Sequence, residues 1–259
     1  MKDSTIPTLL GIAIILVGII DGALFIKNSQ IFKISAANQN KPENVRVSNI
    51  GERSFTVSWT TQERSLGFVR WGVSSMSLSK TALDTIKNTS YIHYVNVGGL
   101  SPDKKYYFKI NSNGADFDNN GLAWQLNTAP AILSKPESNI ISGNVLTQYG
   151  SPAQDVLVYA VVGGGSFLST LTSSNGDWVI PISATRTKSL DSYVLINDSS
   201  TPIEIFVQSG TEVSSAQMYP SSAKPAPPMV LGKIYNFRST PLQDLGEIPK
   251  ANIYLPTIQ

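Results

Sequence analysis

The sequence predicts an all-β protein, with two tandem β-sandwiches carried behind one N-terminal transmembrane helix. Three observations lead there. Ile6–Ile26 is an almost unbroken apolar run, and nothing else in the chain is comparable. Beyond it, β-branched and aromatic residues recur in short alternating bursts separated by Gly, Pro, Asn and Ser, the pattern of half-buried strands and turns. No amphipathic helical period interrupts those bursts.

The anchor comes first in the chain, after a short segment 1–5. About 21 helical residues span about 30 Å, close to the thickness of a bilayer core. Pro7 stands where a first-turn proline is tolerated, and Asp21 lies far enough along to reach the distant headgroups. A cleaved signal peptide is the competing reading. The small residues Ser35-Ala36-Ala37 that would serve it lie beyond a normal signal core, with Lys27 and Lys33 nearby. A buried core helix is the third reading, and an all-β remainder offers it no layer to pack against. The Lys count leans toward a cytoplasmic C-terminal side, because Lys2 is nearly offset by Asp3 while Lys27 and Lys33 follow the run. The module architecture argues instead for a single-pass cell-membrane protein with its bulk extracytoplasmic. Residues 27–41 are small and polar and read as a tether.

Composition narrows the function classes. A formal charge of +2, with 15% charged residues, gives no field for nucleic acid. There is no cysteine and one histidine, which removes disulfides, thiolate chemistry and histidine-rich metal centres. No P-loop, dinucleotide fingerprint or Gly-x-Ser-x-Gly elbow occurs.

The first sandwich is expected over 42–128. Val45, Val47 and Ile50 suggest the opening strand, and Phe55, Val57 and Trp59 alternate cleanly with Ser54, Thr56 and Ser58. Leu66–Trp71, Tyr91–Val97, Tyr106–Ile110 and Gly121–Leu126 follow, with a less regular stretch before Ser90. Pro102 favours a turn, and Tyr106 can bury its ring while its hydroxyl reaches a nearby backbone group. Pro42–Ile50 followed by Ser54–Thr61 resembles the opening strands of a fibronectin type III domain, an immunoglobulin-like (Ig-like) sandwich. Leu100-Ser101-Pro102-Asp103-Lys104-Lys105-Tyr106 resembles that family's E–F corner. Arg70-Trp71-Gly72, Asp84 and His93 are similar to the subtype that precedes the catalytic domain of purple acid phosphatases. The resemblance ends near Thr128 and carries no phosphatase residues with it. It implies core roles for Trp59, Trp71, Leu100, Pro102 and Tyr106.

A linker at 129–135 precedes a second sandwich at 136–220. Runs at Asn139–Leu146, Val156–Val162, Phe167–Leu171, Trp178–Ile182, Tyr193–Ile196, Ile203–Val207 and Ala216–Tyr219 supply its strands, and Gly163-Gly164-Gly165 reads as a flexible loop. Ile141-Ser142-Gly143-Asn144-Val145, Gly150-Ser151-Pro152 and Ser174-Asn175-Gly176-Asp177-Trp178 resemble the carboxypeptidase-regulatory or transthyretin-like sandwich. Trp178 is then a core residue. Residues 221–259 read as a proline-rich spacer and a partial β repeat. In that repeat Val230–Tyr235 echoes Ile141–Leu146, and Pro249–Leu255 echoes Pro152–Tyr159. The favoured partner for the repeat is the second sandwich.

Chemistry is sparse. His93 lies inside an alternating strand and reads as structural. Asp116-Phe117-Asp118-Asn119-Asn120-Gly121 mimics the start of a calcium loop, with Asp116, Asp118 and Asn120 at positions one, three and five. Position twelve falls on Asn127 rather than glutamate, and the candidate is weak. The same segment, as a loop at a sandwich end, is the expected binding surface. Asp116, Phe117, Asp118 and the turn residue Tyr149 are its candidates. Neither catalysis nor a cofactor is expected. The expected partner is the lipid bilayer, with an envelope protein or polysaccharide as the candidate ligand and no nucleic acid. The function expected is a membrane-anchored surface protein, structural or adhesive. The alternatives are a carbohydrate- or protein-binding module, an envelope assembly subunit, and, less favoured, a hydrolase accessory or an enzyme.

Overall fold

In the first sandwich, alternation of apolar side chains builds two sheets with one core between them. The computed structural model describes residues 39–238 and the backbone of 243–247. The expected membrane helix at 6–26 and the Pro249–Leu255 half of the partial repeat lie outside the described residues. Among the described residues no helix is long and apolar enough to cross a membrane. Strands β1 (Glu43–Ser48), β2 (Ser54–Ser65) and β5 (Ser90–Gly98) form an antiparallel sheet in the order β1-β2-β5. Strands β3 (Gly67–Gly72), β4 (Lys80–Leu83), β6 (Lys105–Ser112), β7 (Ala115–Phe117) and β8 (Trp124–Asn127) form its facing sheet. There β4-β3-β6 run in order, and β7 and β8 both pair with β6. Phe55, Val57, Trp59, Val95 and Val97 meet Val69, Trp71, Phe108, Ile110 and Trp124 between the two. Phe108 stacks on Trp124 with centroids 5.5 Å apart.

The second sandwich follows the same logic with more strands. A six-stranded sheet is ordered β11 (Leu168–Leu171), β10 (Leu157–Val162), β13 (Ile203–Ser209), β14 (Glu212–Met218), β16 (Lys233–Asn236), β17 (Gln243–Glu247). A three-stranded sheet is ordered β12 (Asp177–Pro181), β9 (Ile140–Leu146), β15 (Met229–Val230). Val158, Ala160, Ile205 and Val207 face Ile141, Val145, Trp178 and Ile180 across the core.

The two sandwiches are pressed together rather than strung apart. A third cluster of Ile92, Tyr94, Leu157 and Tyr159, with Ile86, Leu171 and Phe206 beside it, joins the outer face of β1-β2-β5 to the outer face of β11-β10-β13. The result is four stacked sheets. It also explains β2, where Thr56, Ser58 and Thr60 are buried as fully as Phe55, Val57 and Trp59. Period two gives each strand two faces, and here both are covered.

Several elements differ from expectation. Tyr193–Ile196 is not a strand; only an isolated Arg186–Tyr193 bridge forms there. The stretch expected to be irregular before Ser90 contains β4. Gly163–Gly165 is a packed turn rather than a flexible loop. The Gly163 N–H donates to Pro202 O at 2.9 Å, and a Cβ on Gly165 would sit 2.6 Å from Arg186 O. The proline-rich segment is no spacer either, because Ala223, Ala226, Met229, Leu231 and Phe237 are part of the second core. Met229–Val230 pairs parallel with β9, and Lys233–Asn236 parallel with β14, so the tail crosses from one sheet to the other.

Candidate functional site

The lone histidine sits in a hydrogen-bonded chain whose hydroxyl end no sequence motif announces. β5 carries His93, β2 ends at Ser65, and Asp84 follows β4. His93 Nδ1 is 2.7 Å from Asp84 Oδ2, and Nε2 is 3.0 Å from Ser65 Oγ. Ser65 Oγ is in turn 3.0 Å from Ser112 Oγ. Asp84 Oδ1 accepts the backbone N–H groups of Ile86 and Tyr94, each at 3.0 Å. A carboxylate only accepts, so Nδ1 carries a proton toward Asp84, and in the neutral tautomer Nε2 then receives the Ser65 hydroxyl. The order acid, imidazole, hydroxyl is that of a nucleophilic triad. Its surroundings are not: His93 is 0% and Ser65 1% exposed, and the imidazole is stacked on Trp59 at 4.7 Å. Gly67 closes the remaining side, where an added Cβ would lie 2.7 Å from His93 Nδ1. No substrate carbonyl can reach Ser65. The chain of bonds is a pin through the core, with Asp84 and His93 as its visible signal in the sequence and Ser65 unforeseen.

The Asp116–Gly121 segment is not the site its sequence suggests. Asp116 and Phe117 belong to strand β7, not to a loop. Asp116 Oδ2 takes Arg70 Nη1 at 2.9 Å, and Asp116 Oδ1 takes Asn111 Nδ2 at 2.6 Å. Asp118 turns to Lys109 Nζ at 2.8 Å and the Gly121 N–H at 2.7 Å. The hydrogen bond from Lys109, with that of Gly121, holds the Asp118 carboxyl below the ordinary carboxylate range. Each carboxylate thus has its own cation. Among the described residues no three His, Cys, Asp or Glu side chains gather as metal ligands. Phe117 is half-buried against the first core and offers no exposed anchor. Tyr149 is different, standing 95% exposed on its turn.

The residues expected in the cores are placed as follows. Trp59, Leu100 and Trp178 are buried almost completely, Trp71 and Tyr106 nearly so, and Pro102 is half-buried. The backbone N–H of Ser101 donates to the Tyr106 hydroxyl oxygen at 2.9 Å. Trp178 lies on Gly143, whose missing Cβ would fall 2.6 Å from the indole.

The junction between the sandwiches is densely hydrogen-bonded, and the sequence showed none of it. Asn49, at φ +51°, donates its backbone N–H to Phe167 O at 2.8 Å. Its Oδ1 accepts the Ser169 N–H at 2.9 Å, and its Nδ2 donates to Ser169 O at 3.1 Å. The Tyr94 hydroxyl donates to the same carbonyl at 2.8 Å, and Ser48 Oγ lies 2.6 Å from Ser169 Oγ. Ser58 Oγ and the Tyr159 hydroxyl meet at 2.8 Å. Burial pushes the Tyr159 phenol up to about 12, and raises Tyr94 as well. The Arg46 guanidinium lies 5.2 Å from the Tyr159 ring centroid, and burial lowers its pKa.

Cavities open on the surface among the described residues. One, of about 270 Å³, lies beside Trp71, Lys80, Lys104 and Tyr106 at the end of the first sandwich. Another, of about 450 Å³, belongs to the second sandwich and is lined by Glu137, Asn139, Ser183, Tyr193, Leu195, Asp198 and Lys224 among others.

Comparison with known proteins adds one family match. The family model for the Purple acid Phosphatase, N-terminal domain matches residues 42–125, about a third of the chain. That region is a fibronectin III-like β-sandwich. No curated protein matches the chain. Among solved structures, PhoD aligns at 11% identity and TM-score 0.24, covering 40% of this chain and 21% of its own. Purple acid phosphatase PPD1 from yellow lupin (Lupinus luteus) seeds aligns at 18% identity and TM-score 0.26, covering 44% of this chain and 24% of its own. The FN1–FN3 domains of chicken CNTN1 align at 11% identity and TM-score 0.26, covering 73% of this chain and 67% of theirs. The chain therefore spans a quarter or less of the first two, and overlaps of this kind assign it no activity.

Proposed function

We propose that this chain is a membrane-anchored cell-surface protein with a structural or adhesive role. Ile6–Ile26 is held in the bilayer, and the sandwiches are presented outside the cytoplasm as one stiff body. The observation that carries this reading is the junction between the sandwiches, where Asn49, Tyr94, Ser169 and Tyr159 lock two outer sheet faces together. Tandem modules joined only by a short linker hinge at it. Modules joined face to face across several strands keep a fixed reach, which suits a spacer or a presenting arm. A non-enzymatic role is further supported by the burial of the Asp84–His93–Ser65 chain, where a nucleophile would have to be open to substrate. The apolar length of Ile6–Ile26 supports the anchor. We read residues 136–220 as a carboxypeptidase-regulatory or transthyretin-like module, on the motifs around Gly143, Pro152 and Trp178.

Membrane fractionation tests the anchor, and protease treatment of intact cells tests its sidedness. Full-length protein is expected in the membrane pellet after alkaline carbonate washing and in solution only with detergent. External protease is expected to remove the β-sheet portion without lysis. Recovery of the chain in the detergent-free soluble fraction with its first 30 or so residues intact would overturn the anchor, since about 20 apolar residues suffice to hold it. Protection until lysis would overturn the sidedness.

A further inference from the structure

The cavity of about 270 Å³ in the first sandwich has walls of one electrostatic sign. Gln39 O accepts the N–H groups of Gln62 and Glu63 at one end of that sandwich. Strand β3 starts beside that end at Gly67 and runs away from it to Gly72, where the cavity opens. The turn between β3 and β4 forms one side, and it is fixed. The Ser77 N–H donates to Ser74 O at 3.1 Å, and the Met76 N–H donates to Ser74 Oγ at 3.3 Å. Ser77 O packs so closely on Gly72 that an added Cβ there would collide with it. Lys80, which opens β4, carries its ammonium 4.9 Å from the centroid of the Trp71 ring. An aromatic ring holds a cation through its quadrupole and leaves the charge whole.

What the wall lacks selects the ligand. Lys80 and Lys104 both line the cavity, and among the described residues neither is within ion-pair distance of a carboxylate. No Asp or Glu lines it, and Asp103, next to Lys104 in the chain, is not part of the wall. Ser77, Ser79 and Ser101 line it too, and their hydroxyls bond to no other described residue. Beneath them Trp71 and Tyr106 pack edge to face at 5.7 Å, both nearly buried. Like charges on one concave wall over an apolar floor raise the local concentration of the opposite ion.

We infer that this cavity binds a phosphate monoester. Such a group carries a charge of about −1.5 to −2 near neutral pH and three strong acceptor oxygens. It matches two ammonium groups in charge, and its oxygens take protons in hydrogen bonds from the lysines and the serine hydroxyls. A carboxylate brings a single charge and leaves one lysine unbalanced, and a neutral ligand leaves both. The cavity is smaller than the roughly 300–1,000 Å³ of sites that enclose a drug-sized molecule, so it suits a charged group on a longer carrier. This inference goes beyond the adhesive reading and does not depend on the anchor.

The test is calorimetric titration of the full chain, in a nonionic detergent and phosphate-free buffer, with glycerol 3-phosphate, dimethyl phosphate, acetate and dihexanoyl phosphatidic acid. Glycerol 3-phosphate is expected to bind at least fivefold more tightly than dimethyl phosphate or acetate, with an affinity that falls as salt is raised. Lys80→Gln and Lys104→Gln are each expected to weaken that binding at least fivefold. Lys188→Gln, the same charge change at an exposed position of the second sandwich, is expected to leave it unchanged. Lys104→Gln disturbs no ring contact and serves alone should Lys80→Gln not fold. Tighter binding of the phosphatidic acid than of glycerol 3-phosphate supports the site and assigns it to a lipid headgroup. Equal or weaker binding supports it and assigns it to a soluble ester. No binding of glycerol 3-phosphate, equal affinity for dimethyl phosphate or acetate, wild-type affinity in the folded cavity variants, or an equal loss in Lys188→Gln would overturn the inference. Because the measurement is made in detergent, it stands or falls separately from the anchor and its sidedness.

Discussion

Asn49 uses its backbone N–H and both ends of its side-chain amide to hold one sandwich against the other. Its left-handed backbone is a conformation that asparagine tolerates better than most residues. Asn49→Ala orphans the Ser169 N–H inside the junction, and is expected to destabilise the protein by roughly 2–3 kcal/mol in denaturant unfolding. His93 is the other residue on which much hangs. His93→Leu leaves the Asp84 carboxylate buried without its imidazole, and a loss of about 3–5 kcal/mol is expected from the same measurement. Tyr159 makes the junction sensitive to alkali. Its phenol ionises near 10 in the unfolded chain but only at about 12 when folded. Above pH 10 the unfolded state gives up a proton that the native state keeps, so stability is whole below that pH and falls as pH rises through 12. The loss is of the order of 2–3 kcal/mol. Phenolate absorbance followed alongside unfolding checks it, and Tyr159→Phe should flatten the slope. Trp59, Tyr106 and Trp178 could be placed from sequence because large aromatic residues in period two seek a core. Asn49, Ser65 and Ser169 could not, because a polar side chain carries no mark of which distant partner it will meet.

Strands with strict alternation, such as β2, β5, β9 and β13, were legible in the sequence. Short edge strands and irregular walls were not: β4 has only four residues, and the Tyr193–Ile196 segment alternates yet stays out of the sheets. The tail is the element whose role changed most. Val230–Tyr235 could be matched to an earlier strand, but the match did not reveal that Leu231 and Phe237 would fill the second core, or that the Val230 N–H would donate to the Tyr235 hydroxyl at 2.9 Å. Removing residues 221–259 uncovers β9 and β14 and strips Met229 from a fully buried position. The truncated chain is expected to lose the second sandwich while keeping the first, seen as rapid limited proteolysis beyond about residue 136. Met229→Ala alone should cost about 2–5 kcal/mol.

At the scale of the whole molecule, composition and turn spacing were enough to indicate sheets in pairs, and not enough to indicate that the pairs stack. A strand face lined with Thr56, Ser58 and Thr60 looks the same in sequence whether it meets water or the hydroxyls of another sheet. That ambiguity hid the four-layer arrangement. The stack also changes what the 129–135 connection does. The far end of β1, at Ser48 and Asn49, is bonded straight into β11, so tension entering at the amino end passes across the junction without traversing that connection. A flexible insertion of about ten Gly/Ser residues at 131–133, soft by composition, should leave the rupture force in single-molecule pulling unchanged. Asn49→Ala with the same insertion should lower it and lengthen the first extension step. Seen this way, the asparagine corner is a weld in a load-bearing strut, and the covalent link beside it is slack rope.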